Sequence, residues 1–398
     1  MWILVSQNKR MNILYNRYSF FFYTKTNKYM IINLKSKTDL SGFYIVYEGS
    51  TNLEKPGWYG ISHLMEHLVC KAFDHLQDDF DRDSIDWNAY TDSNNIVFYI
   101  TGLDEKVNKW KYKLIELLSE FKITKEEFEN ERKIVLEEYS DYFNNQTDAH
   151  ILNLGRKLFN DYDAIGLKKD LENLKYLDII NFWELQYSQP SKIINVSKNS
   201  DFENNLIDFA NRKITRKLEF GNYSTPLELN NDFKGKSSIA LISPIIDSDF
   251  GYIHYINYML SFGLKSPLYQ EVREKRGLVY SIGCHQSRIN KQTINSITTQ
   301  TSEKNFDTLV DVVGDVIKNP DKYLTKERFD IINDLLKTKR SIDDTLRHNR
   351  VSEWIEPKDY GVYSILDGLK FNKIREVYDK YFDFDKFYIS NDRTEFKK

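Results

Sequence analysis

The segment His63-Leu64-Met65-Glu66-His67 has the residue types and the spacing of a catalytic metal site. In an α-helix, residues four positions apart differ by about 40° around the axis, so His63 and His67 would share one face. Two imidazoles placed in this way can bind one Zn²⁺ at about 2.0–2.1 Å each. Glu66 would lie on the other side of His63, at roughly 60°, where its carboxylate reaches a zinc-activated water without binding the metal. The pattern therefore predicts hydrolysis, with Glu66 as the general base.

A catalytic zinc needs a third protein ligand and one open coordination position. The helical pattern after Thr124 contains Glu131 and Glu138, which are two turns apart on one face. We assign Glu138 as the third ligand and Glu131 as the acid that supports a ligand from outside. Glu137 is the alternative third ligand. Without the two histidines, the same acid-rich helix would indicate only a solvated surface.

The alternation of apolar and polar residues predicts the elements that would position these side chains. A capping box, Thr124 with Glu127, marks the start of the acid-rich helix. The run Asp78-Asp79-Phe80-Asp81 is expected to be an exposed loop. The predicted strands cover parts of 18–48, then 85–91, 95–101 and 192–196, and the predicted helices cover about 61–76, 106–121, 124–143 and 177–187.

The second half of the chain repeats the first. Ile123-Thr124-Lys125-Glu126-Glu127-Phe128 reappears about 200 residues later as Leu324-Thr325-Lys326-Glu327-Arg328-Phe329. Each copy follows a predicted strand pair and an amphipathic helix, which indicates a duplicated domain. The same offset places Ile332 opposite Glu131 and Lys339 opposite Glu138, and around Leu264–Leu268 it finds no histidine or glutamate. The second copy is therefore expected to lack the metal site.

We predict a basic N-terminal tail over 1–17, a zinc-bearing catalytic domain over 18–200, a linker over 201–234 and a second, substrate-handling domain over 235–398. Lys and Arg total 56 against 59 Asp and Glu, a balance that gives no whole-protein attraction to nucleic acid. No apolar run approaches the roughly 18 residues of a membrane span. With only two cysteines, Cys70 and Cys284, a reducing compartment is expected: the cytoplasm first, an organellar matrix second.

Three passages resemble the insulinase (pitrilysin) family of zinc metallopeptidases, which includes mitochondrial processing peptidases and small bacterial relatives. The first runs from Gly49-Ser50 to the histidine motif, and the second is Glu131-Arg132 with Val135-Leu136-Glu137-Glu138. The third is Ser266-Pro267-Leu268-Tyr269-Gln270-Glu271-Val272-Arg273-Glu274-Lys275-Arg276-Gly277-Leu278-Val279-Tyr280. The resemblance implies that Glu138 is the third ligand, with Glu131 supporting it.

The resemblance also assigns residues that handle substrate. Arg273 and Tyr280 match a family pair that binds substrate, and Tyr280 could steady the oxyanion. Asn88-Ala89-Tyr90-Thr91 look like the family's active-site edge strand, which receives substrate as an added β-strand, with Asn88, Ala89 and Tyr90 as the expected substrate-binding residues. Cys70 stands where the family usually has a bulky apolar residue. A sulfur near the metal is conceivable there, but a buried small side chain is the favoured role.

The family fold implies an α+β protein with two homologous α/β-roll domains, each an antiparallel-rich sheet packed by helices, that form one half of a clamshell. We therefore expect a homodimer, or a heterodimer with a related half, enclosing a chamber with one Zn²⁺ per chain. The expected activity is endopeptidase cleavage of peptides or small unfolded polypeptides. A precursor-processing peptidase and a non-catalytic family scaffold are the alternatives.

Overall fold

The computed structural model describes residues 29–120, 122–159, 163–187, 190–203, 235–243, 249–289, 292–346, 351–355 and 368–397. These residues form two compact units. The first unit contains the described residues of 1–136, 164–221 and 342–355, and the second those of 137–163, 222–341 and 356–398. The predicted tail, 1–17, and most of the predicted linker, 201–234, lie outside the described residues.

The first unit is built on a five-stranded sheet. Its strands are β1 (Met30–Lys35), β2 (Leu40–Glu48), β3 (Asp86–Thr91), β4 (Asn95–Leu103) and β5 (Lys192–Ser197), in the spatial order β1-β5-β2-β4-β3. All pairings are antiparallel except that of β1 with β5. Strand β2 is buried along seven consecutive residues, because both of its faces are covered. Strand β3 is an edge of this sheet.

Seven α-helices lie in the first half of the described chain; the fourth of them carries the chain into the second unit, to which the fifth belongs. They are α1 (Ile61–Lys71), α2 (Gln77–Asp83), α3 (Asp104–Ser119), α4 (Lys125–Asn144), α5 (Gln146–Phe159), α6 (Lys168–Asn173) and α7 (Tyr176–Gln186). The predicted capping box is confirmed: Thr124 Oγ1 accepts a hydrogen bond from the Glu127 amide, and Glu127 accepts one from the Thr124 amide. Helix α4 runs without a break through the division between Leu136 and Glu137.

Two expectations about this region were wrong. The motif helix ends at Lys71, not near residue 76, and a 3₁₀ turn (Asp74–Leu76) separates it from α2. The acidic run Asp78–Asp81 lies in helix α2 and not in an exposed loop. Phe80 explains the helix, because its ring is buried between those of Trp87 and Trp110 while the aspartates face outward.

The second unit repeats this plan, as the sequence repeat predicts. Its strands are β6 (Lys236–Ile242), β7 (Ile282–Ile289), β8 (Gln292–Ser302), β9 (Tyr388–Asn391) and β10 (Thr394–Lys397), in the order β10-β9-β6-β8-β7. Its helices are α8 (Phe250–Ser261), α9 (Phe306–Lys318), α10 (Pro320–Tyr323), α11 (Lys326–Leu346) and, after the short helix α12 (Ser352–Ile355) that belongs to the first unit, α13 (Phe371–Tyr381). A π-helical turn lies at Tyr269–Glu274. The predicted α+β class with two antiparallel-rich sheets is confirmed.

Each unit completes its core with a segment from the other half of the chain. In the first unit, Val351 and Ile355 pack with Tyr44, Val46 and Ile194 on one face of the sheet. In the second unit, Leu154 of α5 packs with residues of β6, β8 and β9. Each sheet needs apolar side chains packed on both of its faces, and these segments from the other half of the chain provide part of that packing. The predicted boundaries at 200 and 235 stay predictions.

A buried histidine fixes α5 to the second sheet. His150 Nδ1 lies 3.0 Å from Ser238 Oγ on β6, and Nε2 lies 3.0 Å from Ser390 Oγ on β9. A neutral ring can donate from one nitrogen and accept at the other, so both serines are satisfied. Burial lowers the pKa of His150 to about 4, although Asp392 partly opposes this.

The lowered pKa of His150 predicts a loss of stability in mild acid. Because the folded-state pKa lies below the usual value of 6.5, its contribution is complete above pH 6.5 and is lost as the pH falls towards about 4. Urea unfolding of the metal-free protein at pH 7 and pH 5 should show the wild type losing more stability than His150→Gln. Comparison of the two proteins cancels the titration of other groups, so equal losses would contradict this role.

None of the helices in the described ranges is both long and apolar enough to cross a membrane.

Candidate metal centre

The motif residues lie on α1 as the spacing predicts. One face of α1 enters the core, where Leu64, Met65 and Leu68 are fully buried. His63 and His67 lie together at the border of this face, with ring centroids 4.7 Å apart and an interplanar angle of 87°. Packing of the buried face against the core fixes the helix backbone, and both imidazoles project from the same side of the helix.

Helix α4 brings a carboxylate to the two imidazoles. One ligand atom each from His63, His67 and Glu138 lie within 4.8 Å of one another, and this is the one such group found among the described residues. Glu137 does not belong to it. Two imidazole nitrogens and a carboxylate oxygen form a donor set that zinc favours in catalytic sites. Tetrahedral ligands of zinc lie roughly 3.3 Å apart, so small side-chain rotations would close this group around one ion.

The electrostatics of His63 suit a metal ligand. Burial, together with neighbouring His67, lowers the pKa of His63 to about 4. The ring is therefore neutral around pH 7, and a neutral imidazole is the form that binds a metal.

Glu131 lies against His67, where the sequence places the supporting acid. Its Oε2 is 3.6 Å from His67 Nδ1, and the residue is buried. The neighbouring Arg132 donates to the carbonyl oxygens of Glu172 and Leu174, which ties this turn of α4 to the C-terminal end of α6. A carboxylate beside the imidazole can fix the ring orientation and make the imidazole a stronger ligand.

Glu66 has a partner that the sequence did not reveal. Thr91 Oγ1, at the end of edge strand β3, donates a hydrogen bond of 2.5 Å to Glu66 Oε2. This bond orients the carboxylate on the same helix as the two imidazoles. A threonine at the end of a predicted strand carries no sequence signal for this role, since the contact joins residues far apart in the chain.

Cys70 takes no part in the metal group. Burial raises the pKa of its thiol, and the charges of Glu66, Asp74 and Glu131 raise it further. The thiol is therefore protonated around pH 7 in the absence of a metal, and this partly buried residue lies outside the metal group.

The predicted substrate strand lies at the edge of the first sheet. Strand β3 pairs only with β4, and its other edge has no partner strand among the described residues. Ala89 and Thr91 face the helices, whereas Asn88 and Tyr90 are exposed on the opposite face. An extended peptide could pair with this edge through main-chain hydrogen bonds.

Arg273 and Tyr280 come together within the second unit. The Arg273 guanidinium lies 4.8 Å from the ring centre of Tyr280 and 4.7 Å from that of Tyr269, and it donates a hydrogen bond to the Tyr269 hydroxyl. Tyr280 is 72% exposed, so it is a surface residue available for contact and not a core strand residue. Tyr269, which the sequence did not single out, orients the arginine.

The second unit has no donor group equivalent to the metal group in its described residues. Ile332 is buried in the core where the first unit has Glu131. The sequence offset pointed to Leu264–Leu268 as the counterpart of the motif. In the structure, however, the helix that follows β6, the central strand equivalent to β2, is α8. That helix carries His254 and Tyr258, and Lys339 Nζ lies 3.3 Å from the Tyr258 hydroxyl. A lysine therefore stands in this unit where the first has Glu138, which excludes a cation site of the same kind.

Comparisons with known proteins agree with this architecture. The family model described as "Insulinase (Peptidase family M16)" matches residues 34–164, and the one described as "Peptidase M16 inactive domain" matches residues 202–336. An "Uncharacterized zinc protease" of Rickettsia bellii is 22% identical over 72% of this chain and 74% of its own length. A "Probable mitochondrial-processing peptidase subunit beta" of Arabidopsis thaliana is 24% identical over 41% of this chain and 32% of its own length.

Solved structures show the same fold. A protease from Helicobacter pylori superposes with a TM-score of 0.75 at 17% identity, covering 94% of this chain and 98% of that one. Pitrilysin superposes with a TM-score of 0.63 at 15% identity, covering 92% of this chain but 43% of pitrilysin. The chain thus corresponds to about one half of the longer enzyme. It belongs to the insulinase family (peptidase family M16) as a half-size member.

Proposed function

We propose that this chain is a zinc-dependent endopeptidase that hydrolyses peptides or small unfolded polypeptides. The observation that carries the proposal is the convergence of His63, His67 and Glu138 with the carboxylate of Glu66 on the same helix as the imidazoles. A carboxylate next to a three-ligand metal group, with one coordination position left open, is the arrangement that metal-assisted hydrolysis requires.

Each of these residues has a separate role in the proposed hydrolysis. His63, His67 and Glu138 would hold the zinc, which, when bound, supplies Lewis-acid chemistry and makes a water easier to deprotonate. Glu66, held by Thr91, accepts the proton of the attacking water and passes it to the leaving amine. The edge of β3 binds the peptide backbone in an extended form, and Tyr280 donates to the developing oxyanion.

The proposal includes a second chain. Tyr280 is exposed and lies against the partly exposed guanidinium of Arg273, which Tyr269 orients, so both side chains can contact a substrate that reaches them from outside the unit. We propose that two half-size chains, identical or related, enclose a chamber in which this pair of one chain faces the zinc of the other. Light scattering after size exclusion tests this part, because a strictly monomeric and fully active enzyme contradicts it.

A precursor-processing peptidase is the second candidate, favoured by the similarity to a probable mitochondrial-processing peptidase subunit. A non-catalytic scaffold is the third, since the second half matches an inactive-domain model. A peptide-library digest read by mass spectrometry, with zinc measured per chain, separates the three. Cleavage of many short peptides supports the first, cleavage only of long precursors supports the second, and the absence of both zinc and cleavage supports the scaffold.

The contact between Tyr269 and Arg273 predicts an effect on substrate binding. Tyr269→Ala removes the ring and the hydroxyl that orient the guanidinium, and it should raise KM by about 2- to 10-fold with little change in kcat. Tyr269→Phe keeps the ring and loses only the hydrogen bond, so its KM should lie between those of wild type and Tyr269→Ala. Steady-state kinetics on one peptide measures both. An unchanged KM in Tyr269→Ala would show that the stack does not serve substrate.

A further inference from the structure

A buried carboxylate caps the helix that carries the two histidines. Glu54 is 6% exposed, and its two oxygens accept different backbone amides at the start of α1. Oε2 accepts from the Gly60 amide at 2.9 Å, and Oε1 accepts from the Ser62 amide at 2.9 Å. The first amides of a helix have no partner within the helix, and a carboxylate there also meets the positive end of the helix dipole.

The position before α1 cannot supply this cap from its own side chain. Gly60 has φ +98°, and a Cβ at this residue would lie 2.9 Å from Leu171. Serine, aspartate or asparagine, the usual capping residues, would be strained there by both conditions. Glu54 reaches the same amides from six residues upstream, in a connection between strand and helix that is longer here (residues 49–60) than in the second unit (residues 243–249).

The capped turn is the one that carries the first proposed ligand. Ser62, whose amide bonds to Glu54, directly precedes His63. Burial disfavours the ionised form of Glu54 and raises its pKa, whereas the two amide hydrogen bonds act in the opposite direction. A buried carboxylate is costly, so hydrogen bonds to both of its oxygens are what make this position tolerable.

We propose that Glu54 is a positioning residue for His63: by fixing the first turn of α1, it keeps His63 in place to bind zinc with His67 and Glu138. The inference rests on the proposed zinc site. Without the two bonds, the first turn is free to fray, and zinc binding must then order it. The affinity for zinc should therefore fall even when the protein remains folded.

Asp170, on helix α6, offers a matched control because its side chain accepts amides of the same loop. A single oxygen of Asp170, Oδ2, accepts both the Gly57 amide at 2.8 Å and the Tyr59 amide at 3.2 Å. The amide oxygen of asparagine can take the place of that one oxygen. Glu54 uses both oxygens, so Glu54→Gln would turn an NH₂ group towards one of the two amides and leave that amide unsatisfied.

Zinc affinity, measured by competition with a chelator, tests the proposal together with the melting temperature of the metal-free protein. Glu54→Gln should bind zinc about 10-fold or more weakly, the loss typical of groups that orient a ligand, whereas Asp170→Asn should stay within about twofold of wild type. A folded Glu54→Gln protein with wild-type zinc affinity would overturn the proposal, whatever its melting temperature.

Glu54→Asp decides the case in which Glu54→Gln does not fold. Its carboxylate is one methylene shorter and cannot reach both amides, so weakened zinc binding supports the proposal and wild-type affinity overturns it. Absence of zinc binding in the wild-type chain would instead contradict the proposed metal site itself, and the two failures are thereby distinguished.

Discussion

Glu66→Gln should reduce kcat by about 10²- to 10⁴-fold and leave about one zinc per chain. Glutamine has nearly the same shape as glutamate, and its amide oxygen can still accept the hydrogen bond from Thr91. It cannot accept the proton of the attacking water. The variant therefore removes the base and preserves the metal ligands, which are different residues. Zinc analysis and single-turnover hydrolysis of one peptide measure the two effects.

Thr91→Val is the control for the orientation of the base. It retains the Glu66 carboxylate and removes the hydrogen bond that holds it, so kcat should fall by no more than about tenfold. If Glu66→Gln were to keep substantial turnover with its zinc bound, Glu66 would not be the base. A larger loss in Thr91→Val than in Glu66→Gln would assign the main role to the threonine instead.

Local signals in the sequence predicted the helix that carries the metal ligands and the start of α4. The spacing of His63 and His67 is a property of a single helix, and the capping box of Thr124 and Glu127 spans three residues. Both follow from geometry within one element, which the sequence alone contains. The duplicated fold was also predictable, because the repeat of the capping segment preserved the order of the elements around it.

Contacts between distant segments were not predictable in the same way. The hydroxyl of Thr91 reaches Glu66, and the carboxylate of Glu54 reaches the start of α1, only because β3 and the preceding loop fold against the helix. The cover of each sheet by a segment from the other half of the chain has the same origin. Periodicity shows that a face is apolar, but it does not show which segment covers it.

The second unit shows how an offset can mislead. The offset was taken from the capping segments of α4 and α11, and it holds there. The connection from the central strand to the next helix differs in length between the units. It spans residues 49–60 after β2 in the first unit and residues 243–249 after β6 in the second. The counterpart of the motif helix is therefore α8, which carries His254, and not the segment Leu264–Leu268. Lys339 Nζ is 5.1 Å from the Tyr258 ring and 4.8 Å from the Phe262 ring. The positive charge at this place in the second unit is therefore the ammonium group of a lysine.

Glu138→Gln should weaken zinc binding by more than about 100-fold, beyond the roughly 10- to 100-fold typical of groups outside the metal's own ligands. Glu138 lies two turns after Glu131, so the carboxylate that supports His67 and the carboxylate that joins the metal group share one face of α4. Glutamine keeps the size of the side chain but replaces a charged ligand with a neutral amide. Competition with a chelator measures the affinity of each variant for zinc.

Glu137→Gln is the matched control, because Glu137 is the adjacent and likewise exposed acid, lies about 100° around the helix and is outside the metal group. It should bind zinc within about twofold of wild type. Zinc should also raise the melting temperature of wild type and of Glu137→Gln, since a ligand that binds the folded state stabilises it, and this rise should disappear in Glu138→Gln. The reverse pattern would make Glu137 the ligand. Equal affinities in both variants would mean that the two imidazoles bind without a carboxylate from α4, and the proposed three-ligand site would be wrong.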